Sequence, residues 1–370
     1  MEVKRLLKFW WRGNSLLAPR SAVLGLASLL VVLSVLWLGG CATGQFISAS
    51  SLKVKKPAAL RPGDTIGFIS PSSSIDGVKM ERAIRILKER GYRVKVPAGL
   101  YDRDGYLAGD DWARARQFEA VLNDPEVDAV FAAAGGYGAM RMLDFVNFDR
   151  LQHPKIVIGF SDITAVHMAL RSQCGWSSFH SPNMIDGFGQ GEGFKATTRS
   201  WFWRLLESDG EGFVLGTEPL ASDSENCPVP IALTPGVARG RLVGGNLSLV
   251  SALVGTPYEL KTKGCLLFLE DVGERPYRID RMLSQMKLAG QLDSLAGVVL
   301  GQFTDCEPTR ENPTWFVDRV LKDYFAGLGV PVLMNFPAGH DHFNSVVPLG
   351  YEAELDADHG RIRILESLWR

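Results

Sequence analysis

The feature that most constrains the fold is an alternation of short apolar runs with amphipathic segments in the first half of the chain. Apolar runs rich in β-branched residues predict buried strands, and apolar residues at helical spacing predict helices. Strands are predicted at 65–70, 127–132 and 156–158, and helices at 78–90 and 111–123. Such alternation is typical of a doubly wound, mostly parallel sheet that binds ligands at the carboxyl ends of its strands.

The stretch 154–164 carries the first candidate for chemistry. An apolar run is broken by Gly159, and Ser161 and Asp162 then open a helical pattern. A serine on a strand-to-helix turn has an exposed hydroxyl, and the helix N-terminus favours the negative charge that develops when it attacks. Ser161 is therefore a candidate nucleophile. The alternative is a simple helix cap, because Ile163 stands where the G-x-S-x-G pattern has its second glycine.

A glycine-rich loop, Gly-Gly-Tyr-Gly138, follows the strand at 127–132. Adjacent glycines let the backbone approach a ligand closely. We predict that the N–H groups of Gly136 and Asp162 form an oxyanion hole. We expect Gly135, Tyr137 and Thr164 to contact the substrate. An ordinary turn is one alternative, and a dinucleotide loop is another, although the spacing is not G-x-G-x-x-G.

The second half of the chain is predicted to be β-rich, with a candidate acid at the end of one strand. The run 265–269 is apolar and is followed directly by Glu270 and Asp271. A buried, unpaired carboxylate is costly, so an acid in this position indicates a function. Glu270 is preferred to Asp271 and Glu274. Earlier in this half of the chain, residues 244–246 are predicted to form a turn before a helix.

A serine nucleophile needs a base, and histidines supply the candidates. His340 is preferred because it follows Gly339 in a loop at the end of a predicted strand. His342 and His180 remain alternatives. A metal site at His340 and His342, with Asp341 between them, is conceivable, but two histidine ligands without a further ligand placed nearby make a poor case. We therefore predict no metal and no cofactor.

Residues 1–41 resemble an export signal. Five basic residues and one acidic residue precede an apolar stretch at 22–38, and Gly-Gly-Cys41 directly follows Leu38 at its end. This plan predicts a lipoprotein signal peptide with lipidation at Cys41; an uncleaved membrane anchor is the alternative. Ala42 after the cysteine favours the outer membrane, with the protein facing the periplasm. Residues 42–58 are small and polar and are predicted to be a tether.

Charge and cysteine content exclude several classes. The whole chain carries a net charge of −1, and loss of the leader would leave −5, without a basic run or a basic aromatic platform. Nucleic acid is therefore not an expected partner. Beyond Cys41, four cysteines without C-x-x-C spacing argue against structural zinc, and they do not define a disulfide pair.

Five motifs, in order and spacing, resemble those of the serine L,D-carboxypeptidases, a family that includes the microcin C self-immunity peptidases. They are Gly-Gly-Tyr-Gly138, Gly159-Phe-Ser-Asp-Ile-Thr164, Gly-Gly-Asn246, Leu269-Glu-Asp271 and Gly339-His340. The resemblance covers about residues 60–365. It implies that Ser161 is the nucleophile, Glu270 the orienting acid and His340 the base. It also implies that the N–H groups of Asp162 and Gly136 hold the oxyanion.

The same resemblance implies a fold and a substrate. The fold is α/β: a Rossmann-like N-terminal domain at 59–190, a linker at 191–230 and a β-rich α+β domain at 231–370, commonly as a homodimer. The substrate is a murein stem peptide that loses its terminal D-alanine. The chain departs from the family pattern at Ala134, where an arginine is usual. Alternatives are a peptidase or amidase acting on a peptide-nucleotide antibiotic, and a catalytically silent envelope-binding lipoprotein.

Overall fold

A computed structural model describes residues 53–370, apart from 217, 311 and 312. The signal peptide, Cys41 and most of the tether predicted above lie outside the described residues. None of the described helices is long and apolar enough to cross a membrane.

The first sheet has six strands in the order β11-β5-β4-β3-β1-β2. Five of them run parallel, and β11 pairs antiparallel with β5 at one edge. The strands are β1 Thr65–Ile69, β2 Arg93–Lys95, β3 Ala129–Ala132, β4 Ile156–Gly159, β5 Ser178–His180 and β11 Val347–Leu349. The predicted parallel α/β sheet is confirmed.

The second sheet has seven strands in the order β13-β12-β7-β8-β9-β10-β6. Strands β7 to β10 run parallel, and β6, β12 and β13 are antiparallel to their neighbours. Its strands are β6 Ile231–Thr234, β7 Val237–Asn246, β8 Cys265–Val272, β9 Gly297–Thr304, β10 Val332–Met334, β12 Glu352–Asp356 and β13 Arg361–Ile364. The predicted β-rich second half is therefore also confirmed.

Eight α-helices cover the sheets in the described part of the chain. They are α1 Gly77–Glu89, α2 Asp111–Asn123, α3 Ala139–Met142, α4 Thr164–Ala169, α5 Ala196–Leu206, α6 Leu247–Ala252, α7 Pro276–Leu288 and α8 Val317–Phe325. Asp76 and Asp110 cap α1 and α2 by accepting backbone N–H bonds. Helix α5 lies within the predicted linker, and its Phe202 packs edge-on against Phe131 of β3.

One local prediction is wrong. Residues 244–246, predicted as a turn, are the last residues of β7 and pair in parallel with β8. Gly244 approaches Phe268 so closely that an added Cβ would lie 1.8 Å from its carbonyl oxygen. The glycines are therefore needed for close approach within a sheet, a role that looks the same as a turn in the sequence.

The two sheets are joined by direct contacts. Strand β11 comes from the second half of the chain but completes the first sheet. The buried Tyr351 hydroxyl accepts a hydrogen bond from Ser177 and donates one to the carbonyl of Leu368. The Asn246 N–H donates to the hydroxyl of Thr164 over 3.0 Å. The carboxyl ends of β4 and β8 are thereby held in a fixed relation.

Candidate active site

Ser161 lies on a strained turn directly after β4. Its φ is +64°, a left-handed value that side chains other than glycine rarely adopt. The turn is tight because Gly159 has no side chain: a Cβ there would come within 2.9 Å of both Ile163 and Ala132. Backbone strain of this kind is kept where the surroundings hold it, and it is common at functional sites. The turn presents Ser161, which is half-buried, to a cleft.

The glycine loop lies against this turn. A Cβ on Gly135 would be 3.0 Å from the Cβ of Ser161, and one on Gly136 would be 2.2 Å from the hydroxyl oxygen of Ser73. Among the hydrogen bonds of the described residues, none uses the N–H of Gly136 or of Asp162. Both amides are thus free to donate to a ligand, as the predicted oxyanion hole requires.

Arg114 fixes the far side of this loop. Its guanidinium is buried and donates to the carbonyls of Pro71 and Gly138, with Asp111 as its ionic partner. A guanidinium carries five fixed donors, so one side chain can hold several carbonyl groups in place. Arg114 is therefore a structural support for the loop, reached from helix α2.

The side chain of Asp162 has a role that the sequence did not reveal. Its carboxylate is buried and accepts hydrogen bonds from the Ser72 hydroxyl and the Ala139 N–H, each 2.7 Å long. Burial raises the pKa of Asp162, although these bonds oppose the shift. Asp162 thus joins the serine turn to the start of α3, which follows the glycine loop.

Glu270 lies near the end of β8, beside an irregularity in the pairing with β9. Leu269 pairs with Leu300 and Asp271 pairs with Phe303, so β9 has one extra residue opposite Glu270. Such a bulge changes the direction of a strand and its side chains. The Glu270 side chain is fully buried. Gly339 leaves room for this carboxylate, because a Cβ at that position would lie only 2.9 Å from it.

His340 pairs with this carboxylate. Its Nδ1 lies 2.7 Å from Oε2 of Glu270. Burial alone would lower the pKa of His340, but the charge of Glu270 and the hydrogen bond together raise it above its ordinary value. With Nδ1 held in this way, Nε2 is the nitrogen left to exchange a proton with a substrate or nucleophile. The predicted acid and base are therefore brought together.

Asp271, the alternative acid, is used differently. It accepts hydrogen bonds from Asn246, from the N–H and hydroxyl of Ser248, and from Val272. Burial and then the charge of Glu270 raise the pKa of Asp271 to about 6, against these donors. Its contacts tie β8 to the start of α6, and it does not touch an imidazole among the described residues.

One cleft of about 650 Å³ has both Ser161 and His340 in its wall, together with Gly135 and Gly136. The histidine ring packs on Phe160, the residue before the serine, with ring centroids 4.6 Å apart. Residues from the two halves of the chain thus meet at the cleft. The remaining walls come from Pro182, Asp186, Gln190, Gly193, Phe194, Thr198, Val272, Gly339, Asp341, His342 and Asn344.

Other predicted residues lie elsewhere. Thr164, expected to contact substrate, is fully buried, and its hydroxyl accepts from Asn246 instead. Tyr137 is exposed and packs against Tyr106. It is not one of the residues that line the cleft. His342 does line the cleft. His180 is buried between Phe160 and Phe268 and does not reach the cleft wall.

Asn183 is a supporting residue that the sequence analysis missed. Its side-chain oxygen accepts the Phe160 N–H, and its amide nitrogen donates to Asp186 over 3.3 Å. It therefore connects the serine turn to the cleft wall. Its only signal in the sequence is its place directly after Ser181-Pro182.

Two further predictions concern metals and cysteines. Within the described residues, no group of three or more potential ligands could hold a metal ion. The four cysteines Cys174, Cys227, Cys265 and Cys306 are free and buried.

A serine on a strained turn and a histidine paired with a buried glutamate lie in the wall of one cleft, and two unpaired amides lie on the serine turn and the glycine loop. This arrangement defines the class of protein, a hydrolase of the serine type. Matches to family models specify it further. Residues 66–181 match the LD-carboxypeptidase N-terminal domain, and residues 239–355 match the LD-carboxypeptidase C-terminal domain. The chain belongs to the LD-carboxypeptidase family, whose members are serine hydrolases.

Relatives agree with this assignment. The chain is 38% identical over 302 residues to a probable murein peptide carboxypeptidase of Bacillus subtilis, covering 81% of this chain and 91% of that protein. It is 30% identical to a murein tetrapeptide carboxypeptidase of Pseudomonas aeruginosa, covering 80% and 94%. The microcin C7 self-immunity protein, in its wild-type apo structure, superposes with a TM-score of 0.77 at 26% identity, covering 85% of this chain and all of that one.

Proposed function

We propose that this protein releases the terminal D-alanine of murein tetrapeptides, with Ser161 as nucleophile, His340 as base and Glu270 as the acid that orients it. The observation that carries the proposal is that one cleft has in its wall both a strained serine and a histidine, and that this histidine lies 2.7 Å from a buried glutamate. The substrate is inferred from the Bacillus and Pseudomonas relatives, a probable murein peptide carboxypeptidase and a murein tetrapeptide carboxypeptidase.

The chemistry follows from this arrangement. Nε2 of His340 takes the Ser161 proton as the hydroxyl oxygen attacks the amide carbonyl between the diamino acid and D-alanine. The oxyanion accepts hydrogen bonds from the N–H groups of Gly136 and Asp162. The imidazolium, stabilised by Glu270, returns its proton to the leaving amine, and the C–N bond breaks. Water, activated by the same imidazole, then hydrolyses the acyl-enzyme and frees Ser161.

Mass spectrometry of defined muropeptides incubated with the detergent-solubilised full-length protein tests this proposal. We expect loss of one D-alanine from tetrapeptides, unaffected by EDTA, and no loss with Ser161→Ala or His340→Ala. His359→Ala is a matched control, because His359 forms a similar 2.8 Å pair with Asp356 but on the exposed surface. Release of D-alanine by the Ser161→Ala variant would contradict the proposal.

A second candidate is cleavage of a peptide-nucleotide antibiotic. It is favoured by the presence of two aromatic residues, Phe160 and Phe194, in the cleft wall, because an aromatic lining is suited to a nucleobase. Parallel assays with murein tetrapeptide and a processed microcin-like compound separate the two functions.

A serine-directed phosphonate that failed to label Ser161 would instead support a silent envelope-binding lipoprotein.

For location, we propose export, lipidation at Cys41 and attachment to the periplasmic side of the outer membrane. The proposal rests on the leader and the Leu-Gly-Gly-Cys41 sequence. Labelling with a fatty-acid analogue should mark the wild-type protein and not Cys41→Ala, and the labelled protein should fractionate with the outer membrane. The homodimer implied by the family resemblance is tested by the mass of the solubilised protein.

A further inference from the structure

The charged side chains in the cleft wall are biased toward acid. Among the described residues that line the cleft, none is a lysine or an arginine, whereas Asp186 and Asp341 are both present. Ala134, at the position where an arginine is usual in the family, is buried and supplies no charge. The cleft therefore offers carboxylates to whatever lies next to Ser161.

Asp341 already has a partner of its own. Its carboxylate accepts the N–H of His342 over 2.6 Å. Asp186 accepts one hydrogen bond, the 3.3 Å contact from the neutral Asn183 amide, and no ion pair among the described residues includes it. Desolvation by the surrounding protein raises the pKa of Asp186. The charges of His340 and Lys79 oppose this shift without forming an ion pair with the carboxylate.

Asp186 is nevertheless accessible and firmly placed. It is exposed to solvent, and it belongs to the cleft wall. The chain before it is anchored to the end of β3, since the N–H groups of Met184 and Ile185 donate to Ala132 and Ala133. A fixed, accessible carboxylate with few partners of its own is suited to bind a cation from a ligand.

We propose that Asp186 recognises the side-chain ammonium of the diamino acid that donates the acyl group, and so determines substrate specificity. This inference rests on the proposed function. The acyl-donating residue must occupy the cleft beside Ser161, and its ammonium is a cationic group that the cleft itself lacks. Asp186 then acts in binding, separately from the proton transfers at His340.

The test uses matched peptides with the full-length, solubilised protein. One tetrapeptide carries L-lysine at the third position, and the other carries Nε-acetyl-lysine, which keeps the chain and removes the charge. We expect wild-type kcat/KM to favour the lysine peptide by about tenfold to a hundredfold, the range for a charge-assisted hydrogen bond. Asp186→Asn should remove this preference through KM, and Asp186→Glu should restore part of it. Asp341→Asn should keep the ratio.

Binding separates this inference from the proposed function. Calorimetry with the Ser161→Ala variant should show tighter binding of the lysine peptide than of the acetylated one, and Asp186→Asn in that background should abolish the difference. Equal wild-type rates on both peptides, or an equal loss on both in Asp186→Asn, would overturn the inference. No release from either peptide, with discrimination retained in binding, would instead overturn the proposed function.

Discussion

At the scale of single residues, the site combines strain with a buried charge. Ser161 adopts a left-handed φ of +64°, and Glu270 is fully buried with its charge directed at one imidazole. Neither arrangement is favourable by itself, because a side chain in the left-handed region and a desolvated carboxylate both cost free energy. Residues whose conformation or burial is costly mark the places where function outweighs stability.

The strain at Ser161 predicts a gain of stability on substitution by glycine. Ser161→Gly should raise the free energy of unfolding by about 1 kcal/mol relative to Ser161→Ala, because glycine accepts a positive φ without a Cβ penalty. Urea denaturation of the two inactive variants measures the difference. Asn335, with a φ of +59°, provides a control site, where the same pair of substitutions should show the same sign. Equal stability of the two Ser161 variants would contradict the argument.

The Glu270 charge predicts a pH effect. A raised pKa of His340 means that the neutral, proton-accepting form is lost as pH falls through that value. Glu270→Gln removes the charge that raises this pKa. The acid limb of kcat/KM should therefore move to lower pH, while the maximal rate falls on the order of 10³-fold to 10⁴-fold. NMR titration of His340 checks the shift directly. An acid limb that stays in place would show that His340 is not the titrating base.

At the scale of elements, the strands and helices were largely predictable, and the supports of the site were not. The alternation of apolar runs predicted β1, β3 and β4 because local periodicity records which face is buried. By contrast, the contacts of Arg114 and Asp162 join segments distant in sequence. Two further features depend on tertiary neighbours. They are the close approach of the glycines at 244–245 to neighbouring residues and the pairing of β11 with the first sheet. Residue types therefore predicted the candidate catalytic groups, whereas the contacts that hold these groups in place are visible only in the fold.

Arg114 allows a prediction about the link between helix α2 and the glycine loop. Arg114→Met should lower the free energy of unfolding by about 3 kcal/mol and lower kcat, since buried carbonyls lose their donor and the loop loses its support. Arg116→Met is the matched control, because Arg116 is exposed on the same helix and stacks over Trp112. Thermal denaturation and D-alanine release measure the two effects. Similar behaviour of the two variants would contradict the role given to Arg114.

At the scale of the whole molecule, the two sheets depend on each other. The first sheet is completed by β11, and Tyr351 connects Ser177 to the C-terminal segment. Aromatic packing of Phe179 with Tyr351 and Trp369 adds to this connection. Because these contacts cross between the halves, neither sheet keeps its core when the other opens.

This dependence predicts a single cooperative transition. Hydrogen exchange of amides in β4 and β8 should report the same free energy of global opening. Tyr351→Phe should lower both values together, by about 1 kcal/mol, through loss of its hydroxyl contacts. Tyr101→Phe, which removes an exposed hydrogen bond to Glu81, should leave both unchanged. An earlier opening of one sheet alone would show that the halves unfold independently.

The two ends of the described fold meet. The N–H of Arg370 donates to the carbonyl of Pro57 over 3.0 Å, and Lys56 forms a 2.7 Å ion pair with Glu366. A circular permutant is therefore feasible, in which a short linker joins the last residue to the segment before Pro57. New termini in a surface loop would leave every strand with its present neighbours. The first described residues and the carboxyl terminus therefore lie side by side on the surface of the folded body.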